Sequence, residues 1–331
     1  MRIDLAEHSD LVRGAAEMEE TSEGVRCSRF PGELIETFQA DERPFAESSL
    51  ATSGIRIALV TDSNLVRLRF ARGRIFSENG ASVDILVDRA ECHSFKSDED
   101  AEDFIVNLEL DPVEGDEGHE VEIYFPYLSE VLIRDFELSD GSLFRPSYAG
   151  DDRILFLGDA VTQGVGATSP FRTFPALISA ELRMDFLNWG LDGANCSAEL
   201  AEHALDQEWQ TVVLAYGLHD YCNAVPLDTF ADELESALRN LSARSGVRIF
   251  VTTMWNLPEY ENTPNELGLL PEDYRRTALQ ITRLFPEATV LDGSNACGRS
   301  KKAFTEDRTL PSDRGMASIA EAMLRKLSAG L

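Results

Sequence analysis

Residues 156–164 (FLGDAVTQG) have the pattern of a catalytic turn that lacks its nucleophile. A buried-strand pattern at 153–157 precedes the turn, and a helical pattern follows it. The Gly-Asp pair at 158–159 places residue 160 at the carboxyl end of the strand, the edge where ligands and catalytic groups gather in open α/β sheets. Residue 160 is alanine, whose methyl group cannot attack a carbonyl. The segment therefore indicates a catalytic position and argues against nucleophilic catalysis by it.

The elements that position this turn belong to a half of the chain, residues 149–331, in which strand and helix patterns alternate. Such alternation predicts an α/β fold with a parallel sheet covered by helices on both faces. The predicted strands are 154–157, 186–188, 211–215, 248–253 and 289–291. The predicted helices are 173–182, 198–205, 227–242, 271–285 and 313–327.

Residues 1–148 have a different pattern, made of short β-rich segments in which apolar and polar residues often alternate. Short strands punctuated by Gly, Asp, Asn and Pro predict an all-β sandwich or jelly roll. The predicted strands are 55–60, 65–70, 83–88, 104–110, 121–125 and 132–136. Because the pattern changes near residues 146–152, we place the domain boundary between 148 and 149.

Three further short motifs follow the turn in the second half. They are 188–193 (NWGLDG), 217–220 (GLHD) and 307–311 (DRTLP), the last followed by SDRG. In their order the four motifs resemble those of the SGNH, or GDSL-type, hydrolases, which are esterases and acylhydrolases. The resemblance implies a flavodoxin-like α/β/α fold for residues 149–331. Residues 53–59 (SGIRIAL) and 120–126 (EVEIYFP) carry a weaker likeness to the β-sandwich domain that precedes this hydrolase in one branch of the family, which includes members active on acylated carbohydrates.

The resemblance also implies a role for each motif residue. The serine nucleophile of the family's Gly-Asp-Ser motif is replaced here by Ala160. Gly193 matches the glycine whose N–H donates to the oxyanion, and His219 stands where an asparagine completes the oxyanion hole. In the final Asp-x-x-His-Pro motif, Asp307 keeps the acid position and Leu310 replaces the histidine. We therefore predict a natural loss of catalytic chemistry, in which Asp307 survives as a helix or loop cap.

Few residues offer a replacement for the missing groups. All five histidines lie at or before His219, so none is near the final motif. Cys222 and His219 follow one strand end and form the most suggestive pair of thiol and base, although a reactive thiol needs a depressed pKa and partial exposure. Cys196 follows the Gly193 loop, and we expect Thr162 to turn into the following helix. The alternative is that both cysteines are small buried thiols, and that His219 makes a structural hydrogen bond rather than a ligand contact.

Four residues near the motifs are candidate substrate contacts. Trp189 lies inside the second motif and Trp255 follows the carboxyl end of a predicted strand, so either ring could stack on a carbohydrate. Both could instead pack in the core, as we expect of Trp209. Asp159 and Asp220 flank motif positions, and we expect Asp159 to brace its turn through backbone hydrogen bonds.

The composition is strongly acidic, with 59 Asp and Glu against 30 Lys and Arg and a net charge of -29. Such a surface excludes nucleic acid and anionic membranes as partners, because no basic patch could release phosphate counterions. Self-repulsion destabilises a compact state unless salt screens it. We therefore hypothesise a salt-rich cytoplasm, as for the acidic, lysine-poor proteins of halophiles. The alternative is an acidic mesophilic protein from a GC-rich genome.

Neither a targeting segment nor a cofactor motif is evident in the sequence. Residues 1–8 lack the apolar core of a signal peptide, and no apolar run approaches the roughly 18 residues that span a bilayer. The 5 cysteines are odd in number and contain no C-x-x-C pair, which fits reduced thiols better than disulfides or a zinc site. We therefore predict a cytoplasmic protein with no metal and no cofactor, and leave assembly into a homo-oligomer open.

Three functional interpretations follow. In the first, which we favour, a degenerate SGNH hydrolase keeps its cleft and binds a small acylated or carbohydrate ligand as a binding or regulatory pseudoenzyme. In the second, an active esterase or acyltransferase uses a rearranged site, with His219 as base and water or a cysteine as nucleophile. In the third, the chain is a structural or carbohydrate-binding protein whose β-domain makes the contacts.

Overall fold

A computed structural model describes residues 1–76, 81–97, 103–112, 118–148, 150 and 152–328. The chain divides into two compact units, one formed by Met1–Ala149 with Ser169–Phe171 and the other by Gly150–Thr168 with Arg172–Leu331. The predicted domain boundary between residues 148 and 149 stays a prediction.

The first unit consists mainly of antiparallel strands. These are β1 (Val12–Arg13), β2 (Glu17–Thr21), β3 (Gly24–Ser28), β4 (Arg56–Thr61), β5 (Leu65–Ile75), β6 (Ser82–Val87), β7 (Glu91–Lys96), β8 (Asp103–Glu109), β9 (His119–Tyr124), β10 (Ser129–Leu138) and β11 (Phe144–Pro146), with helix α1 (Gly32–Ala40) between β3 and β4. One sheet has the order β1-β4-β9-β6-β7, with β11 also paired to β4, and the other has the order β2-β3-β10-β5-β8.

Alternation along these strands produces the apolar core of the unit. Strand β8, for example, buries Phe104, Val106 and Leu108 and turns the intervening residues outward. Apolar side chains from both sheets join one buried cluster, in which the rings of Phe70 and Phe125 meet edge to face with 5.3 Å between centroids. The predicted all-β sandwich is thus confirmed, whereas the sequence pattern missed α1.

The second unit alternates strands and helices. Its elements are β12 (Arg153–Gly158), α2 (Ala160–Gln163), α3 (Phe174–Leu182), β13 (Asp185–Gly190), α4 (Ala198–His203), β14 (Thr211–Ala215), α5 (Leu218–Cys222), α6 (Leu227–Ser242), β15 (Arg248–Thr252), α7 (Pro271–Thr282), β16 (Ala288–Leu291) and α8 (Asp313–Leu327). The strands form one parallel sheet in the order β13-β12-β14-β15-β16. This is the flavodoxin-like order, so the predicted α/β/α fold is confirmed.

The sequence patterns explain these elements. Strand β12 is a continuous apolar run because both faces of a parallel sheet are covered. Helix α6 buries Phe230, Leu234, Leu238 and Leu241, which recur at helical spacing along one face. The chain order reverses between β12 and its neighbours β13 and β14, and the carboxyl ends of these strands are where such folds bind ligands. None of the described helices is both long and apolar enough to cross a membrane.

Candidate functional site

Asp159 connects two of the sequence motifs at the carboxyl edge of the sheet. It caps helix α2, and its Oδ1 accepts a hydrogen bond from the Val161 N–H at 3.1 Å. Its Oδ2 accepts from the Leu218 N–H at 3.0 Å, at the start of α5. Asp159 therefore braces its turn through backbone hydrogen bonds, as the sequence predicts, and also holds the motif that contains His219.

Ala160 begins helix α2, where its methyl group is buried and 2% exposed. The glycine before it permits close packing, because a Cβ on Gly158 would overlap Thr162 and the Ala215 carbonyl oxygen. The Thr162 hydroxyl is itself fully buried and donates to that carbonyl at 3.5 Å. Thr162 is therefore part of the packing of the turn and offers no accessible hydroxyl in place of the missing serine.

The NWGLDG motif packs directly against helix α2. The Asn188 side chain donates to the Thr162 carbonyl oxygen at 2.9 Å and accepts from the Gly190 N–H at 2.9 Å. The Gln163 side chain accepts from the Asp192 N–H at 2.6 Å. A Cβ on Gly190 would overlap the backbone nitrogen of Gln163, so this position requires glycine. These contacts fix the loop that carries Gly193.

The central feature of the site is the imidazole of His219, which lies against this loop. Its Nε2 accepts a hydrogen bond from the Gly193 N–H at 3.0 Å. The same atom lies 3.0 Å from Oδ1 of Asp192. Gly193 has a positive φ of 96°, a conformation that suits glycine and turns its N–H toward the ring. The amide that the family resemblance assigns to the oxyanion is thus already bonded to the side chain that replaces the family's asparagine.

Ionisable groups around His219 have shifted pKa values. Burial raises the pKa of Asp159 to about 6, partly offset by His219 and by the hydrogen bonds that its carboxylate accepts. Burial likewise raises the pKa of Asp220 to about 7. Burial opposes the charging of His219, but the hydrogen bond to Asp192 and the neighbouring carboxylates raise its pKa overall. Several groups in one small region can therefore change charge near neutral pH.

Asp220, in helix α5, is a buried carboxyl group next to His219. It is 1% exposed, and both of its carboxylate oxygens lie within 3.2 Å of the Cys196 N–H, which they share as a donor. The hydroxyl of Tyr216 is buried and has no hydrogen-bond partner among the described residues. Burial raises the pKa of Tyr216 and of the Cys196 thiol well above their ordinary values. Asp220 is therefore not a surface contact for substrate, and Cys196 has the environment of an inert thiol.

Cys222 also lacks the environment of a nucleophile. Its side chain reaches solvent, yet desolvation raises its pKa, against the opposing effect of a hydrogen bond with Tyr260. His219 Nε2 lies 3.0 Å from both the Gly193 nitrogen and Asp192 Oδ1. The suggested thiol and base pair is therefore not activated in this structure.

Asp307 and Leu310 lie in a tight turn before helix α8. The Asp307 carboxylate accepts hydrogen bonds from the Thr305 hydroxyl at 2.6 Å, the Thr309 N–H at 3.2 Å and the Thr309 hydroxyl at 2.8 Å. These bonds lower its pKa and match the predicted role as a loop cap. A Cβ added to Gly166 would lie 3.1 Å from Leu310 Cβ, so the final motif packs against the loop that follows α2.

The two tryptophans proposed as ligand contacts are core residues. Trp189 is 0% exposed and Trp255 is 2% exposed. The Trp255 ring meets Phe174 edge to face, with 5.8 Å between centroids. Neither indole presents a face on which a carbohydrate could stack, because both rings are buried. A sequence position near a strand end does not indicate which way the ring points. Trp209 is buried as expected and donates from Nε1 to the Ala204 carbonyl oxygen at 2.7 Å.

The sequence of the second unit matches a known protein family over the residues that form this site. The model of the GDSL-like lipase/acylhydrolase family matches residues 156–317. This half of the chain is a GDSL-like domain. Its match begins at the turn that carries Ala160 and extends past the motif that carries Leu310, so the positions that depart from the family pattern lie inside the recognised domain.

Solved structures with this fold extend over both units. The salicylyl-acyltransferase SsfX3 from a tetracycline biosynthetic pathway has a TM-score of 0.81 and 21% identity, covering 96% of this chain and 94% of its own. A candidate GDSL-like lipase from Bacteroides ovatus has a TM-score of 0.77 and 16% identity, covering 96% and 95%. A family two carbohydrate esterase from Clostridium thermocellum, solved with cellohexaose, has a TM-score of 0.67 and 12% identity, covering 96% and 98%. At these identities the likeness establishes the fold. No curated protein matches the chain.

Three groups at the GDSL-like site were not singled out from the sequence. Asp192 precedes Gly193 in a motif that the sequence did identify, but its approach to His219 depends on the geometry of the turn. Tyr216 directly follows strand β14, and the sequence pattern gives no sign that its buried hydroxyl has no hydrogen-bond partner among the described residues. Tyr260 lies in the loop after β15, and its contact with Cys222 has no sequence signal. Within the described ranges, no group of three or more His, Cys, Asp or Glu side chains could hold a metal ion.

Proposed function

We propose that this GDSL-like protein binds a small acylated or carbohydrate ligand without hydrolysing it. The observation that carries the proposal is the state of its oxyanion position, where the Gly193 N–H is bonded to His219 beside a buried alanine. An ester hydrolase needs that amide free to stabilise the developing negative charge, and it needs a nucleophile next to it.

The missing groups remove most of the expected rate. Loss of triad members in serine hydrolases lowers the rate by roughly 10⁴–10⁶-fold and leaves positioning and oxyanion donors to supply the remainder. Here the position of the nucleophile is Ala160, the position of the base is Leu310, and the remaining carboxylate, Asp307, is committed to its own turn. The residual contribution of an oxyanion hole is also reduced, because one of its donors already has a partner.

A cysteine-based hydrolase fits less well. Attack by a thiol requires the thiolate, and the pKa values of both Cys196 and Cys222 are raised by burial. A water molecule activated by His219 would need a free Nε2 lone pair, which the Gly193 N–H occupies. These contacts favour binding over a rearranged catalytic site.

The class of ligand is suggested by proteins of similar fold. Their names describe salicylyl transfer, lipase-like activity and a carbohydrate esterase bound to cellohexaose. The common chemistry is an acyl group attached to a small molecule or a sugar. Tyr260, which is partly exposed in the loop after β15, is an available aromatic surface beside Cys222 for such a ligand.

A hydrolysis assay with designed revertants tests this proposal. The natural protein, in concentrated KCl, should hydrolyse p-nitrophenyl acetate and acetylated xylo-oligosaccharides no faster than buffer. The variant Ala160→Ser/His219→Asn/Leu310→His should gain turnover, because it restores the three family residues, whereas Ala160→Ser is the matched control and should stay inactive. Turnover by the natural protein that disappears in His219→Ala or Cys222→Ala would refute the proposal and support a rearranged catalytic site.

A further inference from the structure

The Nε2 atom of His219 lies within hydrogen-bonding distance of a donor and of an acceptor. The Gly193 N–H points at Nε2 from 3.0 Å and requires a lone pair there. Oδ1 of Asp192 is also 3.0 Å from Nε2 and requires a hydrogen there. A single imidazole nitrogen carries either a lone pair or a hydrogen, so the two contacts cannot be hydrogen bonds at the same time.

The protonation state of the ring decides between the two contacts. A neutral imidazole with its hydrogen on Nδ1 accepts from Gly193, and it offers no hydrogen at Nε2 to Asp192, whose side chain is 51% exposed. An imidazolium carries hydrogen on both nitrogens, so it donates to Asp192 and opposes the Gly193 N–H. That amide must then take another acceptor, either water or a ligand, because a donor without a partner costs free energy.

We propose that protonation of His219 opens an acid-dependent binding site for a ligand carboxylate, by releasing the Gly193 N–H and placing an imidazolium beside it. The inference rests on the proposed function, because it uses the same site, and it goes beyond it by adding a free carboxylate as a ligand and the condition for its binding. A carboxylate fits because it accepts strongly from a backbone N–H and is attracted by the adjacent positive charge.

The other titratable groups around His219 reinforce the change in charge. They come from three elements: Asp159 from the first turn, Asp192 from the loop after β13, and Asp220 from α5. At about pH 8 the carboxylates of Asp159 and Asp220 are ionised, since their pKa values are about 6 and about 7, so an anion is repelled. At about pH 5.5 Asp159 and Asp220 are mostly protonated, and the raised pKa of His219 favours the imidazolium, so this repulsion is removed.

The nearby thiols and the nearby phenol do not contribute to this change in charge. Burial raises the pKa of each nearby thiol and phenol, namely Cys196, Cys222 and Tyr216. These groups therefore stay uncharged through the same pH range. Acidification removes repulsion and adds a donor at one place, while the surface as a whole remains strongly acidic.

Nuclear magnetic resonance of the full-length protein tests the inference with acetate as the probe. At about pH 8.5 the nitrogen shifts of labelled histidine should place the His219 hydrogen on Nδ1, and the Gly193 amide shift should titrate with the same midpoint as the ring. Acetate should bind about tenfold or more tightly at about pH 5.5 than at about pH 8.5, with the largest shift at the Gly193 amide. A hydrogen on Nε2 at high pH, or equal acetate affinity at both pH values, would overturn the inference.

Variants distinguish the proposed release of the Gly193 N–H by His219 from general effects of pH. In His219→Asn, which carries the family's residue, the Gly193 amide should no longer follow a histidine titration. The matched control is His203→Asn, at an exposed residue of helix α4, and it should behave as the natural protein does. In Asp192→Asn the imidazolium loses its partner, so the midpoint of the Gly193 shift should move to lower pH. An unchanged midpoint of the Gly193 amide shift in this variant would contradict the proposed link between His219 and Asp192. Ester turnover tests the proposed function separately, because the histidine tautomer can be measured whether or not any ester is hydrolysed.

Discussion

Asp220 provides a quantitative test of the electrostatics of the site, through the substitution Asp220→Asn. The carboxyl group is 1% exposed and accepts a hydrogen bond from the Cys196 N–H. Burial raises its pKa from 3.8 to about 7, so the folded protein holds a proton that the unfolded chain releases. An asparagine keeps an acceptor oxygen for Cys196 and removes the charge.

The sign of the effect follows from the raised pKa. The folded state binds more protons than the unfolded state between about pH 4 and pH 7, so stability falls as the pH rises through this window. Each pKa unit corresponds to about 1.4 kcal/mol, and roughly two units of the shift are expressed between pH 5 and pH 8. We therefore expect Asp220→Asn to raise the free energy of unfolding by about 3 kcal/mol more at pH 8 than at pH 5.

Urea unfolding at constant ionic strength measures this difference directly. The exposed Asp206→Asn substitution is the matched control, and its effect on the free energy of unfolding should be nearly the same at both pH values. Equal effects of Asp220→Asn at pH 5 and pH 8, or a larger loss of stability at pH 8, would refute the assignment of Asp220 as a buried carboxyl that resists ionisation.

Three other outcomes are expected from the same structure. The substitution Gly190→Ala should destabilise the fold by about 3 kcal/mol or more in urea unfolding, since its methyl group would overlap the backbone of Gln163; a cost below about 1 kcal/mol would contradict the close packing. The substitution Asp307→Ala should cost only about 1 kcal/mol because its hydrogen bonds lie at an exposed turn, and a loss of acetate binding in this variant would show a role in the site. With a net charge of -29, the melting temperature should rise between dilute and molar KCl, and a flat salt dependence would exclude the salt-adapted hypothesis.

The sequence predicted the elements better than it predicted the site. Strand 211–215 and helices 227–242 and 313–327 coincide with β14, α6 and α8, because continuous apolar runs and helical periodicity depend on local pattern. The short helix α5 escaped prediction, since its five residues present no periodic face. The sequence likewise identified a parallel sheet whose carboxyl edge carries the motifs.

The direction of side chains at that edge could not be predicted. Trp189 and Trp255 lie at or just after the carboxyl ends of strands, yet both rings are buried in the core. His219 was open to either a ligand contact or a structural hydrogen bond, and its bond to Gly193 emerges only when the loop after β13 and the start of α5 are placed together. Burial decides these outcomes, and burial at a loop depends on contacts between residues far apart in the chain.

The central claim is that this GDSL-like domain binds an acylated ligand and leaves it intact. Proton nuclear magnetic resonance of one sample, containing the protein, an acetylated xylo-oligosaccharide and concentrated KCl, reports both events. The account predicts saturation transfer from the protein to the ligand, with the ester acetyl signal unchanged over time. Release of free acetate at a rate proportional to the protein concentration would contradict it.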